Sequence, residues 1–122
     1  MNPEILIEIN NRVEKLKNAS DLDPREIAII NIELSALWAN VNKDLVDKDC
    51  NYLERRKIER EKYKTSAEAM IFAEASPEYR QFKEAEARAK SLQEIIRSNK
   101  RFIRLMENEQ KIEIYSFNIL VI

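Results

Sequence analysis

The side chains able to do chemistry in this chain of 122 residues are carboxylates, cations and a single thiol, because histidine and glycine are both absent. Without histidine the commonest general base and metal ligand is missing. Without glycine, the glycine-rich loops that cradle phosphates and the dinucleotide fingerprint are excluded. Cys50, in "DKDCNY", has no histidine to activate it and is expected to be inert or interfacial. Among the carboxylates, Asp44-Leu-Val-Asp47 comes nearest to a pair on one helical face. A hard cation needs several converging oxygens, so this pair reads as solvated surface. No catalytic, cofactor or metal site is therefore expected, and the chain does not read as an enzyme.

Positive charge is the remaining chemical signal. Arg55, Arg56, Lys57, Arg60, Lys62 and Lys64 stand among Glu54, Glu59 and Glu61, while Arg97, Lys100, Arg101 and Arg104 have no acid between Ile95 and Met106. Such clusters on neighbouring helices would merge into a basic belt able to hold phosphates in a salt-dependent way. Against this, Glu and Lys or Arg at helical spacing commonly stabilise a solvated face, and aromatics suited to base stacking are sparse there. The net charge of -1 gives the whole chain no basic character.

The elements that must carry these residues are helices. Charged residues make up 35% and aromatics 7%, a balance that suits long helices better than a turn-rich β fold. Each of the three prolines follows a residue able to cap a helix: Asn2-Pro3, Asp23-Pro24 and Ser76-Pro77. "DPRE" adds Glu26 three residues after Asp23, the spacing of a capping box. The expected helices run over about 3–18, 24–74 and 77–110 in a single domain, with a tail over 111–122. The second would extend roughly 75 Å at 1.5 Å per residue, with Thr65-Ser66 the candidate position for a bend.

Phe82, Ala85, Ala89, Leu92, Ile96, Asn99, Ile103 and Met106 recur at alternating steps of three and four, the seam of a coiled coil. "EASPE" leaves almost no loop before them, so the second and third helices should form an antiparallel hairpin. A turn near Ala75-Ser76 would set residues whose numbers sum to about 151 face to face. Met70 would then meet Phe82, Tyr63 meet Ala89, and Tyr52 meet Asn99. The first helix presents Ile5, Ile9, Val13 and Leu16 on one face and should pair with residues 25–38 in a three-helix head, leaving a two-helix arm. The second helix opens with "EIAIINIELSALW", apolar around most of its circumference and suited to covering both neighbours. Asn99, on the seam, either sets the register or bonds to Tyr52 or water.

Two features fit a closed monomer badly. A second apolar stripe comprises Ile95, Phe102, Leu105 and Ile112, with Val46 and Leu53 at the matching height on the second helix. The closing segment "KIEIYSFNILVI" is rich in Ile, Val, Tyr and Phe, a composition that permits a strand. A second copy would cover both; otherwise the tail folds back along its own helices.

No internal apolar run reaches the roughly 18 residues of a membrane span, and the opening residues lack a basic stretch followed by an apolar one. One cysteine excludes an internal disulfide framework and fits a reducing compartment. The expectation is a cytoplasmic, all-α, non-enzymatic interaction protein: an adaptor, inhibitor or assembly factor, homodimeric through Val46, Leu53, Ile95, Phe102, Leu105 and Ile112. The alternative is a nucleic-acid-associated accessory protein, for instance of a phage or mobile element, with Arg55, Arg56, Lys57, Arg97, Lys100 and Arg101 on phosphates.

Overall fold

The computed structural model describes the backbone of residues 1–18 and 22–121, and the side chains of 1–18 and 22–109. Four α-helices account for almost all of it: α1 (Pro3–Lys17), α2 (Pro24–Lys62), α3 (Ser66–Glu74) and α4 (Pro77–Val121). The all-α class follows from the caps and the periodicity. Asn2 accepts a hydrogen bond from the Glu4 amide at 3.0 Å, and Asp23 Oδ1 accepts from the amides of Arg25 and Glu26 at 2.8 and 2.9 Å. Ser76 Oγ accepts from the Tyr79 amide at 3.3 Å. No described residue has a positive φ, so these chain reversals are built from capping side chains and proline rather than from left-handed residues.

Two expected boundaries are corrected. Helix 24–74 is interrupted after Lys62: Thr65 adopts an extended conformation (φ -112°, ψ 148°) and its hydroxyl accepts from the Glu68 amide at 3.2 Å, starting α3 afresh. The tail is helical through Val121 rather than a strand. Nothing after Pro77 breaks α4, and once a helix is nucleated each added residue gains a bond at little cost, whereas strand propensity depends on a partner edge.

The chain divides into two compact units. One comprises Met1 with Leu37–Leu92, the other Asn2–Ala36 with Gln93–Ile122. In the second, the α1 unit, the start of α2 packs on α1 and on α4. Arg12 Nε donates to Glu33 Oε2 at 2.6 Å, so α1 lies along the stretch of α2 expected for it. Ile9, Ile27, Ile30, Leu34 and Ile96 form its buried core.

In the other, the α3 unit, the end of α2 packs on α3 and on the start of α4. Its core holds Val41, Tyr52, Ala69, Ala73, Ala85, Ala89 and Leu92. Tyr52 stacks on Phe82 with ring centroids 5.7 Å apart and lies 5.1 Å from Tyr79. Its hydroxyl reaches Met70 Sδ at 3.8 Å. Tyr63 stacks on Phe72 at 4.4 Å. The expected two-helix arm is thus a three-helix unit, because α3 packs against the last turns of α2 instead of continuing it.

This rearrangement moves the register. The α4 seam is as expected, with Ala85, Ala89, Leu92 and Ile96 buried and Phe82, Asn99, Ile103 and Met106 half-buried. Its partners on α2 are not. Tyr52, expected opposite Asn99, meets Tyr79 and Phe82 near the start of α4 instead. Asn99 instead donates to Asn31 Oδ1 at 3.0 Å.

Candidate interaction surfaces

In the α3 unit, the end of α2 and all of α3 enclose an open groove of about 350 Å³. Leu53, Arg56, Lys57 and Arg60 line it from α2, and Ser66, Ala69, Met70 and Ala73 from α3. Both sets recur at three- and four-residue spacing, so each wall is one stripe of a helix. Ala69 and Ala73 are buried at its base, Met70 is half-buried, and Leu53 with the three cations Arg56, Lys57 and Arg60 is exposed. Leu53 also continues the exposed face of Val46, seven residues earlier, and the two remain 49% and 52% exposed.

The rim cations differ electrostatically from their neighbours. Glu59 is buried in place of an apolar seam residue, 3% exposed, and its Oε1 takes Arg55 at 2.7 Å and Lys62 at 3.9 Å. Arg56, Lys57 and Arg60 have no ion-pair partner among the described residues. The Arg56 guanidinium lies 5.8 Å from the centre of the Tyr52 ring, a cation–π distance. Burial pushes the Tyr52 phenol above its usual pKa, and nearby Arg56 works in the opposite direction. No carboxylate lines the groove. Glu54 lines a different depression with Asn51, Arg55, Ile58, Glu78 and Gln81.

The groove joins residues that sequence reasoning had assigned to different roles: Leu53 to a protein interface, Arg56 and Lys57 to phosphates. Sequence reasoning missed the α3 wall. Thr65-Ser66-Ala67-Glu68 has the spacing of a capping box and would have marked the new helix.

Other expected site residues fall elsewhere. Phe102 and Leu105, in the α1 unit, are 44% and 62% exposed, and Ile95 is half-buried. The side chain of Ile112 lies outside the described residues. Arg97, Lys100 and Arg101 are exposed on α4 in the α1 unit, whereas Arg55, Arg56 and Lys57 belong to the α3 unit. Within each unit α2 and α4 pair in a register other than the one a merged belt requires. Exposed apolar residues also occur where covering was expected: Ile29 and Ile32 on α2 and Ile7 on α1 face solvent. The α1 stripe is too narrow to cover the full circumference of α2.

Asp44 corrects another expectation. It is buried rather than solvated, and its carboxylate takes Lys48 at 3.7 Å, Arg88 at 3.6 Å and the amino group of Met1 at 3.4 Å. It serves as an ion-pair centre between α2 and α4. Among the described residues no three His, Cys, Asp or Glu side chains converge as a metal site would require. Cys50 is exposed as a free thiol.

These surfaces belong to an all-α protein with a helical hairpin, and no described helix is long and apolar enough to cross a membrane. No family model, curated protein or solved structure matches the chain.

Proposed function

We propose that this chain is a cytoplasmic, non-enzymatic helical module for protein–protein interaction, acting as an adaptor, inhibitor or assembly factor and self-associating as a homodimer. The observation that carries this reading is the half-exposed pair Val46 and Leu53 on one face of α2. Apolar surface left in water costs about 25 cal/mol per Å² relative to burial, and contiguous exposed patches mark interaction surfaces. Phe102 and Leu105, one helical turn apart on α4, offer a second such surface for the partner copy.

Light scattering after size exclusion tests the self-association. A dimer that persists at high salt and becomes monomeric on Phe102→Glu or Leu105→Glu supports it. A monomer at every concentration would remove it. The competing reading is a nucleic-acid-associated accessory protein, favoured by the exposed Arg97, Lys100 and Arg101, none of which has an ion-pair partner among the described residues. Charge reversal at these three should abolish DNA or RNA retention on that reading and leave protein binding intact.

A further inference from the structure

We infer that the groove between α2 and α3 receives an acidic amphipathic helix from a partner protein. The inference rests on the interaction-module reading and specifies its partner. Three observations carry it together. The base of the groove is apolar: Ala69 and Ala73 are themselves buried there, and Met70 and Leu53 stand beside them as the apolar side chains left for a partner to cover. Leu53 stands half-exposed at the edge, so an apolar side chain seated there removes exposed surface from water. The rim carries Arg56, Lys57 and Arg60, with no carboxylate among the lining residues and no ion-pair partner for any of the three among the described residues.

The occupant follows from that chemistry. An apolar face at i, i+3, i+4 and i+7 fits the apolar base, and carboxylates flanking it reach the three cations, the helix-in-groove mode of peptide recognition. A nucleic acid fits less well. The aromatic beside the groove, Tyr52, is 6% exposed beneath Arg56 and offers no face for base stacking. A small molecule would find an open trough rimmed by exposed cations instead of the enclosed walls that orient such ligands.

The test uses the full chain, labelled on its methyl groups, and a synthetic peptide of about fourteen residues with leucines at i, i+3 and i+7 and glutamates beside them. Saturable shifts of the methyls of Met70, Leu53, Ala69 and Ala73 are expected. The combined variant Arg56→Glu, Lys57→Glu, Arg60→Glu alters only surface charge and should weaken binding about tenfold or more. Leu53→Ser should weaken it through the apolar contact alone. A scrambled peptide of the same composition should leave the four methyls unmoved. The inference is overturned if none of these methyls moves, if the scrambled peptide binds equally well, or if duplex DNA displaces the peptide from the same methyls. Should the peptide fail while Phe102→Glu still turns a dimer into a monomer, the groove assignment falls and the interaction-module reading stands. Failure of both measurements removes both.

Discussion

Asn99 on α4 donates its carboxamide N–H to Asn31 Oδ1 on α2 at 3.0 Å, while Asn31 donates to the Ile96 carbonyl at 3.4 Å. Asn31 is buried and Asn99 half-buried, so the pair is a polar bridge within the apolar core of the α1 unit. Its members satisfy one another, which explains how a seam of Ile27, Ile30, Leu34 and Ile96 accommodates two carboxamides. Of the two expectations for Asn99, a register role or a bond to Tyr52 or water, the partner in the second is corrected: it is Asn31.

Removing one member should cost more than removing both. Asn31→Ala strands the Asn99 donor and loses the bond to Ile96, a destabilisation of about 1–3 kcal/mol measured by urea unfolding. Asn31→Leu with Asn99→Leu should restore or exceed the original midpoint. If the pair sets the register, the double variant should also show extra methyl resonances from alternative packings. A single set of resonances would reduce the bridge to a satisfied polar contact.

The α2–α3 junction depends on one hydroxyl. Thr65→Ala removes the acceptor for the Glu68 amide and should destabilise the chain by about 1 kcal/mol. Hydrogen exchange locates the effect: α3 amides should lose protection before those of α4. Equal loss everywhere would show that α3 does not open separately.

Alkaline pH should weaken the α3 unit through Tyr52. Its folded pKa lies above the usual phenol value, chiefly because of burial. Well below the ordinary phenol pKa of about 10 the phenol is neutral in both states and its contribution is fully present. As pH rises toward the folded pKa, the unfolded chain loses the proton first and stability declines. Lys83, whose ammonium is held by Glu86 at 3.4 Å, has a pKa raised above the usual lysine value and contributes with the same sign. Tyr52→Phe should therefore give a melting temperature that declines less steeply between about pH 9.5 and 11 than the parent's. Parallel curves would argue that Tyr52 ionises as freely as an exposed tyrosine.

The alanines of the α4 seam are size-limited. Ala85 is almost fully buried in the unit whose core holds Tyr52, against which the half-buried rings of Tyr79 and Phe82 lie. Ala85→Leu should cost about 1–3 kcal/mol by overpacking, despite raising both hydrophobicity and helix propensity. A gain in thermal stability would indicate a void there.

What the sequence determined by itself is local. Asn2, Asp23 and Ser76 with their prolines announced three helix starts, and the alternating three- and four-residue steps from Phe82 to Met106 named the α4 face that is buried, because capping and amphipathic spacing act within a few turns. The hairpin followed from the short connection at Ser76. The tertiary structure decided the register and with it the groove. Where the helix that starts at Thr65 lies was decided by packing, with Met70 against Tyr52 and Phe72 on Tyr63. The Thr65 cap offers the new start locally, but a cap says nothing of which face the new helix buries. The helical period of α2 already places Leu53, Arg56, Lys57 and Arg60 on one stripe; what the tertiary structure added was the facing wall of Ser66, Ala69, Met70 and Ala73 on α3, and the pairing of Tyr52 with Tyr79 and Phe82 in place of Asn99.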